Sequence, residues 1–138
     1  MNKITSFKNK YFFLSNFYFC PIEMKNVIYP SVEHAYQASK TFVEAERAWI
    51  LSAPTAAVAK KRGKKITLRD DWEDVKLKIM KELVKRKFGN TTLQIKLKKT
   101  GDAKLIEGNW WGDTFWGVCN GIGENYLGKI LMEVRSKI

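Results

Sequence analysis

The sequence predicts an α+β fold that is mainly helical, a single compact domain with short N-terminal strands and one further small β element. Three observations carry this reading. Apolar residues at helical spacing, punctuated by cap and stop residues, run from Val32 to Phe88. Short aromatic-rich runs precede them. The chain has 138 residues, 45% of them hydrophobic, which suits one core rather than two.

From Phe7 to Phe19 aromatics crowd the chain (Phe7, Tyr11, Phe12, Phe13, Phe17, Tyr18, Phe19), interrupted by Ser15 and Asn16. This reads as short strands around a turn. Val27 to Tyr29 reads as another brief strand, after which Pro30 and Ser31 supply a helix start. A helix follows from Val32 to Lys40. Its geometry sorts Val32, Ala35, Tyr36 and Ser39 onto a packing face, and Glu33, Gln37 and Lys40 onto a polar one. Further helices are expected from Phe42 to Ser52 and from Pro54 to Arg62, the latter ended by Gly63. Asp70 and Glu73 have capping-box spacing ahead of the stripe Val75, Ile79, Leu83, and Gly89 is a stop signal, so Asp71 to Phe88 reads as a helix. Thr91 to Lys99 fits two patterns. Leu93, Ile95 and Leu97 alternate as in a strand, whereas Leu93 and Leu97 before Gly101 suit a short helix, the preferred reading. Leu105 and Ile106 suit a strand, and Leu127, Ile130, Leu131 and Val134 line an amphipathic C-terminal helix.

Charge is distributed unevenly. The formal net charge is +11, and the stretch from Lys60 to Lys104 holds 16 basic residues against 6 acidic ones. That excess favours anionic partners such as nucleotides, nucleic acid or phosphorylated metabolites, although a solvated helix surface would read the same way. No apolar run approaches a membrane span and MNKITSFKNK lacks the apolar core of a secretory signal, so a cytoplasmic protein without a membrane partner is expected. Cys20 and Cys119 form no CxxC pair and read as buried reduced thiols.

The segment from Glu107 to Gly128, EGNWWGDTFWGVCNGIGENYLG, holds six of the nine glycines and three of the five tryptophans. Glycines permit sharp bends and close approach, and tryptophans offer flat faces to a heterocycle or plugs for a core. The segment therefore reads as a shaped loop. With His34 as the only histidine and no cysteine cluster, the sequence offers no familiar zinc spacing, and it lacks phosphate-loop and dinucleotide-binding glycine patterns. Two carboxylates stand out instead. Glu33 sits in the first turn of its helix beside Gln37, and Asp113 lies between Trp111 and Trp116. Such a pair near aromatic surfaces suits cleavage of a glycosidic bond, where positive charge develops on the sugar and water must be deprotonated. The structural alternatives are that Glu33 only favours a helix terminus and that Asp113 only forms an Asx turn.

The blocks FFLSNFYFCPI, IYPSVEHAYQASK, RDDWEDVKLKIM and GDAKLIEGNWWGDTFWGVCNGIGENYLGKILMEVR together resemble, in that order, the NADAR or YbiA-like N-glycosidase family across Phe12 to Arg135. The resemblance implies hydrolysis of an N-glycosidic bond, either in a phosphorylated ribosyl-aminopyrimidine of riboflavin synthesis or in ADP-ribose linked to a base, free or within nucleic acid. It implies no metal or redox cofactor. It marks Glu33 as catalytic carboxylate and Asp113 as its partner, with Asn16, Phe17, His34, Gln37, Trp72 and Trp116 shaping the ribose and base sites, and Lys76 and Arg62 contacting phosphate. Trp110 and Trp111 depart from the family pattern and leave substrate identity open. The competing class is a non-catalytic nucleotide- or nucleic-acid-binding module, which needs neither carboxylate. Oligomeric state is not legible.

Overall fold

The computed structural model describes residues 2–138, whose contacts cluster in two compact units. One runs from Asn16 to Lys87, and the other comprises the chain up to Ser15 together with Phe88–Ile138.

In the terminal unit, β1 (Lys3–Ile4) pairs in parallel with β4 (Lys104–Leu105), with Ile4 opposite Leu105. A 3₁₀ helix occupies Asn9–Leu14 where strands were expected. Packing overrides the β propensity of its aromatics. The tight turn buries Phe13 and Leu14, with the Phe13 ring edge-on to Phe88 at 6.5 Å, and leaves Phe12 outside. Phe88 is 2% exposed, and burying a side chain of this size contributes about 1.5–3 kcal/mol.

Helix α5 (Thr91–Lys99) resolves the segment that fitted two patterns. Asn90 caps it, its Oδ1 accepting from the Leu93 amide at 3.0 Å. Leu93 and Leu97, one turn apart, are buried while Ile95 is exposed, which a strand could not achieve with all three on one face. Helix α6 (Tyr126–Ser136) buries Leu127, Ile130, Leu131 and Val134 as expected. Gly128 lies so close to the Leu105 carbonyl and the Asn125 amide that a Cβ would overlap both. The glycine- and tryptophan-rich segment is more regular than a loop. It contains β5 (Gly108–Asn109) and β6 (Val118–Cys119), paired in parallel.

In the central unit, β2 (Ile22–Met24) and β3 (Val27–Tyr29) form an antiparallel hairpin. Lys25 and Asn26 turn it with φ of 52° and 68°, the paired left-handed conformation that suits a two-residue hairpin. Four helices follow: α1 (Val32–Ala38), α2 (Glu44–Leu51), α3 (Ala56–Arg62) and α4 (Trp72–Lys87). Thr55 caps α3 through the Val58 amide. The expected capping box at Asp70 is not formed. Helix α4 begins two residues later, and the neighbouring Asp71 carboxylate is drawn into a bidentate pair with Arg69 at 2.6 and 3.0 Å. Helix α1 packs against α2, α3, α4, β2 and β3. All seven of its residues are buried, so the polar face that carries Glu33 and Gln37 is enclosed by protein as the packing face is. No helix among the described residues is long and apolar enough to cross a membrane.

Cys20 and Cys119 are both buried and unpaired. Lys87, the last residue of α4, is 1% exposed, with Nζ 5.6 Å from the centre of the Tyr18 ring. Burial lowers its pKa to about 7, against a smaller opposing influence from Cys20. Between pH 7 and about 10.4 the unfolded chain keeps this lysine protonated while the folded chain releases the proton, so this group makes stability rise with pH across that window. Below pH 7 both states carry the proton and the cost is constant. Lys87→Met should therefore be more stable than the parent in urea titrations, by most at and below pH 7 and progressively less towards pH 10. An advantage that does not change with pH would contradict the burial account.

Candidate active site

The site is built on α1. Ser31 precedes the helix in extended conformation, and its hydroxyl accepts from the His34 amide at 3.1 Å while lying 2.7 Å from His34 Nδ1. His34 Nε2 is 3.0 Å from the Ala53 carbonyl, which can only accept, so Nε2 carries a proton. Both ring nitrogens are thus held by protein. His34 orients α1 against the residue that follows α2, a positioning part that its sequence neighbourhood did not suggest.

Glu33, 7% exposed, has its amide fastened to the Asn16 carbonyl at 3.1 Å. One turn on, Gln37 Nε2 donates to Glu33 Oε2 at 2.6 Å. That bond fixes the carboxylate and leaves Gln37 Oε1 as a buried acceptor with no hydrogen-bond partner, a condition shared by Asn16 Oδ1. The other end of the Asn16 amide contacts Met80 Sδ at 3.5 Å. Buried acceptors without donors are rare in folded proteins and cost about 1–3 kcal/mol each.

Lys40 lies within electrostatic reach of this carboxylate. The Lys40 ammonium lies 5.7 Å from the centre of the Tyr36 ring, which is tilted against Trp72 at 5.1 Å. Burial holds Lys40 below the usual lysine range. Glu33 opposes this, while Lys60, Lys64 and Lys76 push in the same direction. Lys40 therefore senses Glu33 and each of these three lysines through space. Lys76 additionally pairs with Glu73 at 2.8 Å. Like charges gathered in this way repel, and an anion among them would relieve the repulsion.

The structure thus brings Asn16, Glu33, Gln37, Trp72 and Lys76 into one neighbourhood of the central unit, with His34 behind it. Phe17 follows Asn16 with about a third of its surface exposed. Arg62 is engaged elsewhere: NH1 donates to the Trp49 carbonyl at 2.8 Å and to Ser52 Oγ at 3.1 Å, and the guanidinium lies over the Trp49 ring. Asp113 and Trp116 belong to the terminal unit. Asp113 Oδ1 accepts from the Phe115 and Trp116 amides at 3.1 and 2.9 Å, the Asx-turn arrangement, and the Trp116 ring stands edge-on to Phe115.

Helical spacing grouped Lys40 with Glu33 and Gln37, a usable signal to which no role was attached. For Lys60 and Lys64 there was none, because only the packing of α3 on α1 brings them near. Sequence reasoning also missed Gly63, whose Cα lies so close to the Gln37 amide that a Cβ would overlap its oxygen.

The central unit thus holds a buried carboxylate fixed by an amide, with Lys40 within electrostatic reach of it. Comparison with known proteins narrows the class: residues 4–138 match the NADAR domain, and the chain belongs to that family. It is 41% identical over 132 residues to the N-glycosidase Npun_R5314 of Nostoc punctiforme, covering 90% of this chain and 83% of that protein. It is 39% identical over 130 residues to the riboflavin biosynthesis protein VVA0006 of Vibrio vulnificus, covering 91% of this chain but 35% of that longer protein. Among solved structures, the NMR structure of Escherichia coli YbiA superposes with a TM-score of 0.85 at 34% identity, covering 98% of this chain and 82% of that one.

The Gly63 contact makes a specific expectation. In Gly63→Ala the new methyl must displace the Gln37 amide, an overpacking cost on the order of 1–3 kcal/mol. In a Gln37→Ala background the space exists and the cost should largely vanish. Urea titrations of the two single variants and the double variant check this. An equal loss in both backgrounds would show that Gly63 does not act through Gln37.

Proposed function

We propose that this NADAR-family chain hydrolyses the N-glycosidic bond of a phosphorylated ribosyl compound, with Glu33 as the carboxylate that opposes the cationic sugar or activates water. Family membership and relatives named as N-glycosidases support the reaction class. The observation that carries the residue assignment is the buried Glu33 carboxylate, held by Gln37 and within electrostatic reach of Lys40. In such a site a fixed negative charge opposes an oxocarbenium-like transition state more strongly than it would in water. The acceptors of Gln37 and Asn16 suit ribose hydroxyls, and Lys40, Lys60, Lys64 and Lys76 suit the phosphate. Tyr36 and Trp72 back the pocket, Phe17 borders the base, and His34 keeps α1 in register. Two substrate classes fit this chemistry: a phosphoribosyl-aminopyrimidine, in keeping with the riboflavin biosynthesis relative, and an ADP-ribose adduct of a base, including a base within nucleic acid. A cytoplasmic setting accords with either.

Incubating the protein in EDTA with each substrate class and measuring released ribose phosphate or ADP-ribose tests the proposal. Hydrolysis of at least one is expected, and tight ligand binding without release from either would favour the binding-module reading. Glu33→Gln keeps shape but removes charge, so it should retain the fold and lose on the order of 10² or more in turnover. Near-normal turnover would remove Glu33 from the mechanism. Asp113→Asn keeps the Oδ1 acceptor for its two backbone amides, so if Asp113 handles a proton this variant should fold normally and lose turnover. Full activity would restrict Asp113 to its turn.

Salt separates a small substrate from a polynucleotide track. Two or three lysine contacts to one phosphate should weaken modestly with ionic strength. A surface neutralising six or more duplex phosphates would lose about 10³ or more in affinity between 50 and 200 mM salt. The salt slope of binding to a generic DNA duplex is expected to be shallow, and tight binding with a steep slope would contradict the small-ligand assignment of these lysines.

A further inference from the structure

A cavity in the central unit shares no residue with the Glu33 neighbourhood. It measures about 360 Å³ and lies between the β2–β3 turn, the end of α1, α2 and one face of α4. That volume falls within the range of small-molecule sites, roughly 300–1,000 Å³. Its floor is apolar: Met24, Val75, Ile79 and Leu83. On its rim stand five cations, Lys25, Arg47, Arg69, Lys78 and Arg86, with Glu82 the one carboxylate.

The state of those cations decides what the cavity can hold. Arg69 is neutralised by Asp71 at 2.6 Å, and Arg86 by Glu82 at 3.0 Å. Arg47 donates Nε to the Thr41 carbonyl at 2.7 Å, which keeps its charge in place without cancelling it. Among the described residues no carboxylate lies within ion-pair distance of Lys25, Arg47 or Lys78. Lys25 is held at the rim by its left-handed position in the hairpin turn, with φ of 52°, and Lys78 projects from the α4 face that also carries Val75 and Ile79. Glu44 lines the adjoining cavity with Lys25 and Arg47 but forms no ion pair with them. An apolar floor beneath a rim with three cations outside any ion pair selects neither a bare inorganic anion, which gains nothing from the floor, nor a neutral hydrophobe, which gains nothing from the rim.

We propose that this cavity binds a small amphipathic anion, an aromatic ring carrying a sulfonate, carboxylate or phosphate, at a site separate from the one that holds the glycosidic substrate. The ring lies on Met24, Val75 and Ile79, and the anionic group meets Lys25, Arg47 and Lys78.

The probe is 8-anilinonaphthalene-1-sulfonate, titrated by fluorescence into the folded full chain. Saturable binding is expected that inorganic sulfate at millimolar concentration does not displace, because sulfate lacks the ring. The double variant Lys25→Asn, Lys78→Gln changes only exposed side chains, and asparagine tolerates the left-handed turn. It should bind the probe about 10-fold more weakly, as the loss of two partly screened charge contacts predicts, with hydrolysis of the glycosidic substrate unchanged. Glu33→Gln should bind the probe as the parent does, and ribose 5-phosphate should not compete, so the result does not depend on the assignment of Glu33. Unchanged probe affinity in the lysine double variant, displacement by sulfate, or displacement by ribose 5-phosphate would each overturn the proposal, the last by assigning the probe to the Glu33 site.

Discussion

Everything in the central unit depends on the complete burial of α1 with a carboxylate inside it. An ionised group taken out of water costs several kcal/mol unless neighbours compensate it. The fold gathers those neighbours from separate parts of the chain. The loop before β2 supplies the Asn16 carbonyl to the Glu33 amide, α1 itself supplies Gln37, and Lys40, just beyond the end of α1, interacts with the carboxylate through space. The histidine that looked like a binding residue secures this arrangement from behind, tied to Ser31 and Ala53. With only seven residues, α1 is too short to be stable by itself, and its helicity comes from the elements packed around it.

The same burial explains the local rules that the unit breaks. A glycine at the end of α3 is ordinarily a stop signal, and Gly63 serves as one, but its φ of −61° lies in the ordinary right-handed region and asks nothing special of the residue. What requires glycine there is the Gln37 amide lying against its Cα. Asn16 and Gln37 each keep an unsatisfied acceptor inside the protein, a cost in stability that makes sense where a ligand supplies the donor.

Helices with clear start and stop residues were legible in the sequence: α3, α4 and α6 fall close to their expected ranges, and the Ser31 cap of α1 forms as read. What failed were inferences from local pattern where tertiary packing decides. The aromatics before Ser15 suggested strands, yet the segment closes into a 3₁₀ turn because Phe13 has Phe88 to meet. The periodicity of α1 correctly grouped Glu33, Gln37 and Lys40, but periodicity reports relative direction around a helix and not whether a protein wall stands on that side. Glu33 and Gln37 could be found from the sequence because they share one turn of one helix. Lys60 and Lys64 could not, since their part arises from helix packing across more than 20 positions of chain.

The proposed function requires that the Glu33 carboxylate and Lys40, Lys60, Lys64 and Lys76 serve a single sugar-phosphate site. A crystal structure of the Glu33→Gln variant with ribose 5-phosphate tests this most directly. The account predicts the phosphate among Lys40, Lys60, Lys64 and Lys76, ribose hydroxyls donating to Gln37 or Asn16, and the anomeric carbon within about 3.5 Å of the side chain at position 33, the reach of a near-attack arrangement. Sugar phosphate bound away from position 33, with the Gln37 and Asn16 acceptors still unsatisfied, would contradict it.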